Sequence, residues 1–435
     1  MQLFSQRMTT TKAGGITCMV VPVPGGDVIT IIGSIPAGKV YGMDIHPLLA
    51  HITACMLEEG TEKRTKDELS EAFEAKGADV SFESDMMHMR FTLRCLKDDM
   101  KDVLDVVADM IEKPRFAENS FEHVKKRVAA ELLAESDDPA AVGKRAFTRT
   151  LYPEHHPLHL LTHKDAARSL QTLTLNMVKD FHAAHYGRGA LRIAVVGDIA
   201  NEKVSGMIHD VFSVLDEKVV TTPVIPEPLS RCGEIAVPMP GKESALFFAG
   251  APFALGPWDE GYDALKFGLD VLGGGTFSNR LMEEVREKKG LTYSTRVRVD
   301  GSDGRIYGHW YAYGFFPPRS LKEGKKAILE EIAGILDEEG ITLTESEEKK
   351  IELTGRFPVM FDRRETFAAL ALKAAEQGLP EEYWDTYIER INNLTRKEVN
   401  DAMQKHIHPK NLGMVTVGDV KKNKKKKNNK QKKKK

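Results

Sequence analysis

His51 and Cys55 stand four residues apart in the run H-I-T-A-C, within an amphipathic stretch from His46 to Glu59. On a helix that spacing puts both side chains on one face, where two ligands of a single metal ion have to be. In the inverted zinc-hydrolase motif, H-x-x-E-H, the residue before the second ligand is a glutamate that takes a proton from water. Here that residue is Ala54, and a methyl group takes no proton. The helix therefore has the spacing of a zinc hydrolase without the group that does its chemistry. Each side chain also has a plainer reading, His51 as a hydrogen-bonded helix histidine and Cys55 as a small apolar packing residue.

Other residue types promise less. His155, His156 and His159 in P-E-H-H-P-L-H suggest metal, but Pro153 and Pro157 interrupt any helix that would align them. Gly273, Gly274 and Gly275 form no phosphate loop, because no G-K-[ST] follows. They suit a tight turn or a close backbone approach to a peptide. The four cysteines, Cys18, Cys55, Cys95 and Cys232, form no C-x-x-C pair and read as reduced, mostly buried thiols.

A chain of 435 residues implies two or more domains. Its 41% hydrophobic and 29% charged residues are those of a globular protein. No apolar run has the length of a membrane span, and the opening MQLFSQRMTTTKAGG lacks a signal-peptide core. The expectation is a cytoplasmic protein with no membrane partner, or a periplasmic one if a leader has been trimmed. The net charge of -2 conceals an asymmetry: residues 421–435 hold eleven Lys and no acid, so the rest carries -13. Such a block is expected to be a disordered, solvated tail, and nucleic acid is expected only through it.

The elements that would position these residues occur twice. MLEEGT at 56–61 and VLGGGT at 271–276 each precede a helical stretch, then KGADVS at 76–81 and KGLTYS at 289–294, at offsets of 215 and 213. Further on, L-T at 173–174 and 394–395, and V-G-D at 196–198 and 417–419, both repeat at 221. An ordered match at near-constant offset indicates duplication. In the first half, apolar strand-like runs precede helices over 46–59 and 65–76. An alternating strand follows over 79–95, then helices near 97–112, 118–136 and 174–186, and the strand LRIAVVG. Strands joined both directly and through grouped helices predict an α+β fold of two homologous α/β sandwich domains. The expected boundaries are 1–217, a linker at 218–230 with three prolines, 231–420, and the tail.

The runs AHITACMLEEGTEKR, VKKRVAAELLAESDDP and NRLMEEVREKKGLTYS together resemble the pitrilysin/insulinase/mitochondrial processing peptidase family over about residues 15–420. The resemblance implies two homologous α+β domains forming one half of a clamshell. It matches His51 to the first zinc ligand, Ala54 to the general-base glutamate, Cys55 to the second histidine and Glu131 to the third ligand. It also matches Arg286 and Tyr293 to a pair that contacts substrate across the chamber from zinc. A guanidinium fork and a phenol O–H are suited to a carbonyl oxygen gaining negative charge. The glycine run is shorter than the loop expected of the processing peptidase's non-catalytic subunit.

The resemblance thus implies a subunit that binds no zinc and does no catalysis alone. Its partner would be a homologous chain with an intact H-x-x-E-H and its own zinc, and its substrate an unfolded peptide taken on a strand edge. Two alternatives stay open. One is a homodimeric peptide-binding scaffold; the other is a divergent hydrolase holding zinc with His51, Cys55 and Glu131.

Overall fold

The computed structural model describes residues 3–229, 232–276, 278–301, 307–361 and 363–420; the Lys-rich tail lies outside the described residues. Two sheets are present. The first is built from β1 (Thr9–Ala13), β2 (Ile16–Pro22), β3 (Val28–Ile35), β4 (Asp79–Ser84), β5 (Met89–Leu96) and β6 (Leu191–Gly197). The second holds β7 (Glu234–Pro238), β8 (Ala245–Phe253), β9 (Thr295–Asp300), β10 (Gly308–Phe316) and β11 (Gly413–Gly418).

The strand orders are β1-β2-β6-β3-β5-β4 and β7-β11-β8-β10-β9. Without β1 they are the same order, each with one parallel pair, β2 with β6 and β7 with β11. The repeated dipeptides have matching jobs. Thr174 and Thr395 both cap helices, accepting from the N–H of Met177 at 3.3 Å and of Glu398 at 3.2 Å. The repeated V-G pairs end β6 and β11. The fold is α+β with two homologous domains.

The stretch expected as one strand over 79–95 is instead the hairpin of β4 and β5. Asp85 makes the turn: its Oδ1 accepts the N–H groups of Met87 and His88 at 2.8 and 2.7 Å. The apolar alternation changes phase at the adjacent Met86 and Met87, and with no Gly or Pro there the turn leaves only that shift as its mark.

Each sheet buries one face against helices of its own half. Val20, Ile31, Phe91 and Val195 are fully buried with Leu49, Ile52 and Val107 in the first core; Phe247, Trp310 and Ala312 are buried with Phe267, Leu272 and Ile328 in the second. The opposite faces are covered reciprocally. The helix Pro139–Leu151 of the first half lies on β8 and β11, with Phe147 and Leu151 packed on Phe248, Val415 and Val417. The helix Arg364–Gln377 of the second half lies on β3 and β6, with Phe367 and Ala371 packed on Met19, Ile32 and Val196. Gly143 lets the first of these helices approach, since a Cβ there would lie 2.3 Å from the Phe248 ring. Residues 218–229 connect the halves without a helix or strand.

Candidate functional site

The helix Leu49–Leu57 is fixed by the core on one side and by His46 at its start. His46 Nδ1 accepts the N–H of Leu48 at 3.1 Å, and its Nε2 lies 2.9 Å from the Ser169 carbonyl. The helix packs against the helices Glu118–Glu135 and Leu175–His185 and against β4. As the spacing predicts, His51 and Cys55 share a face, with Nε2 and Sγ 3.9 Å apart. Ala54 is 1% exposed and belongs to the first core.

The third implied ligand does not join them as a metal ligand would. Arg127, one turn before Glu131 on the same helix, contacts Glu131 at 3.3 Å and hydrogen-bonds the Cys55 sulfur. A guanidinium thus links two of the three donors. Burial raises the Cys55 thiol above its ordinary range despite Arg127, and burial lowers His51. The site is then a neutral imidazole and a protonated thiol beside a fixed positive charge. Arg127 already holds two of the three donors and opposes a second positive charge beside them, so these residues as placed fit zinc poorly. Among the described residues, no group of three or more His, Cys, Asp or Glu is placed to hold a metal. Arg127 was not singled out in the sequence, although its i,i+4 spacing from Glu131 offered the signal.

Arg286 and Tyr293 lie in the second half. Residues Met282–Lys288 form a π-helix, with the N–H of Lys289 reaching the Glu284 carbonyl at 3.2 Å. Such wide turns are frequent at functional sites. Met282 and Val285 are buried and anchor it, and Asn279 Oδ1 receives the N–H of Met282 at 3.0 Å. Gly290, at φ +60°, then turns the chain back. Thr292 Oγ1 accepts the N–H of Ser294 at 3.1 Å and ties the loop to β10 through the Phe315 carbonyl. Between these fixed points Tyr293 is 85% exposed. The Arg286 guanidinium lies over its ring at 5.3 Å, an arrangement that restrains two long side chains as one donor group. Lys288 pairs with Glu283 and Glu284 at 2.8 and 2.6 Å.

The remaining candidates are structural. His156 is fully buried and stacked on Tyr152 at 4.2 Å, while His159 Nδ1 lies 2.9 Å from the Tyr152 carbonyl; His155 is exposed. In the glycine run, Gly275 has φ +70° and its carbonyl accepts from Arg296 at 2.9 Å. A Cβ on Gly274 would lie 2.1 Å from Asp270 Oδ1, so this run makes a tight turn. At the edge strand β4, the Phe82 N–H donates to Glu58 Oε1 at 3.0 Å, so part of that edge is satisfied within the chain.

Comparison with known proteins agrees with this architecture. The profile of the insulinase (peptidase family M16) domain matches residues 26–162, and that of the peptidase M16 inactive domain matches residues 172–353. The Helicobacter pylori protein called non-peptidase homolog YmxG is 25% identical over 381 residues, covering 86% of this chain and 85% of its own. The solved peptidase M16 inactive domain from Pseudomonas fluorescens superposes with a TM-score of 0.86 at 23% identity, covering 96% of this chain and 99% of that one. The periplasmic protease PqqL from Escherichia coli gives 0.76 at 13% identity, covering 95% of this chain and 46% of PqqL. With both of its domains matched by profiles of one family, the chain belongs to the M16, or insulinase, peptidase family.

Proposed function

We propose that this protein is the non-catalytic subunit of a two-chain zinc peptidase, pairing with a homologue that carries an intact H-x-x-E-H. The observation that carries the reading is Tyr293, 85% exposed beneath Arg286, on a chain with Ala54 at the general-base position. A phenol left in solvent and restrained by a guanidinium suits a surface that meets something else. PqqL supports the stoichiometry, since this chain matches under half of that protease. The name of the Helicobacter pylori relative supports the absence of peptidase activity on this chain alone.

In the assembly the partner supplies the zinc-activated water and the base. On this chain the Arg286 guanidinium and Tyr293 phenol donate hydrogen bonds to the carbonyl oxygen of an unfolded peptide as it gains charge. The net charge of -13 outside the tail favours positively charged peptides.

Native mass spectrometry with metal analysis, on the chain purified from its source cells, tests this. The expected species is a one-to-one complex with an H-x-x-E-H homologue containing one zinc. A metal-free homodimer overturns the reading in favour of a scaffold; a zinc-loaded homodimer overturns it in favour of a divergent hydrolase.

A further inference from the structure

His51 lines one side of a cavity of about 320 Å³ whose other walls belong to neither candidate site. Leu48, Met86 and Leu161 give it apolar walls, and Lys39 and Arg145 give it two cations. Neither cation is matched to a carboxylate within the cavity. Lys39 Nζ donates to the Pro157 carbonyl at 2.6 Å, and Arg145 Nη1 to the Leu161 carbonyl at 3.1 Å. The carboxylate facing the same space, Asp85, is engaged elsewhere: Oδ1 holds the N–H groups of Met87 and His88, and Oδ2 pairs with Arg90. Glu135 stands 3.9 Å from Arg145 and is 57% exposed. Burial, with Arg145 nearby, pushes the Lys39 ammonium down to about 8. Two like charges drawn from solvent, offset only by the long contact of Arg145 with the exposed Glu135, are costly, and an arriving anion relieves that cost.

The shape specifies the anion further. The cavity opens at the end of edge strand β4, where Ser84 and Met86 form part of its lining. Because Glu58 already holds the Phe82 N–H, this edge offers an incoming strand fewer backbone partners, and the end of a peptide becomes the better handle. We propose that the cavity receives the carboxyl terminus of an extended peptide, its carboxylate between Lys39 and Arg145 and its last, apolar side chain against Leu48, Met86 and Leu161. The assignment uses this chain alone and stands apart from the pairing proposed above.

Fluorescence anisotropy on the full chain tests it, using a short unstructured labelled peptide ending in leucine, as free acid and as C-terminal amide. The free acid is expected to bind roughly tenfold to a hundredfold more tightly. Lys39→Met with Arg145→Met is expected to abolish that preference, while Lys39→Arg keeps it. Equal binding of acid and amide, or binding of neither, overturns the proposal. So does a double variant that retains the preference with an unchanged circular dichroism spectrum. The wild-type acid–amide comparison remains decisive should the double variant fail to fold. Displacement of the labelled acid by a medium-chain fatty acid, at concentrations where unlabelled acid peptide does not compete, assigns the cavity to free fatty acids and also overturns it.

Discussion

At the repeat offset of 215, His51 and Cys55 of the first half correspond to Lys266 and Asp270 of the second; at 213, Arg286 and Tyr293 correspond to Phe73 and Val80. Phe73 and Val80 are partly buried against the first core, whereas Tyr293 stands in solvent with Arg286 above it. Conversely, the first half keeps the spacing of a metal-binding helix but packs Ala54 into its core and links Cys55 to Glu131 through Arg127. One scaffold thus carries two specialisations at different positions. In the one with metal-ligand spacing Arg127 holds two of the donors; in the other the Tyr293 phenol stands in solvent. Metal-ligand spacing alone therefore does not make an exposed donor group.

The sharpest way to break this contrast is to remove each pair in turn. With the H-x-x-E-H partner present, Arg286→Ala or Tyr293→Phe is expected to lower kcat for peptide cleavage by about 10²–10³-fold. His51→Ala is expected to leave it unchanged; the reverse pattern in steady-state kinetics would exchange the roles of the halves. Next in size, Ala54→Glu places a carboxylate where 1% of the residue is exposed. It is expected to cost about 3 kcal/mol in urea unfolding, and an unshifted midpoint would show that the helix face is open after all. A smaller effect concerns the ion itself. Cys55→His together with Arg127→Ala is expected to raise zinc affinity in equilibrium dialysis by roughly tenfold to a hundredfold over Cys55→His alone. No gain would mean that Arg127 is not what opposes the metal.

The smallest effect uses His156, whose burial pushes it down to about 4. The folded chain keeps it neutral while the unfolded chain protonates it below about 6.5, so stability is intact above that pH and falls as pH falls towards 4. Its share of the loss is about 1 kcal/mol by pH 5.5. His182 and His309, also pushed down to about 4 by burial, add their own, so the loss should shrink by that share in His156→Phe without vanishing. An unchanged loss in that variant would assign all of it to other groups.

What could be read from the sequence was local or repeated. The i,i+4 spacing placed His51 and Cys55 on one face, and the duplicated blocks gave two domains of like plan. The Pro-interrupted histidines were rightly kept from sharing a helix face. What escaped depended on distant contacts or on weak local marks. The β4–β5 turn lies where the alternation changes phase at the adjacent Met86 and Met87, with no Gly or Pro to mark it. The Lys39–Arg145 cavity joins residues more than a hundred positions apart, and its significance rests on where Asp85 points. Tyr293 was legible as a residue, but its exposure depends on the π-helix and the Gly290 turn, which no periodicity announces.

The helices Pro139–Leu151 and Arg364–Gln377, each lying on the opposite half's sheet, bear on how such a chain could arise. A single ancestral unit would have had a sheet with one greasy side bare until a second copy supplied the missing cover. Self-association of such units would supply that cover, and residues 218–229 join two halves that already hold one another through these helices. Cleaving that tether should leave the two pieces bound to one another, migrating together in gel filtration and melting in a single step.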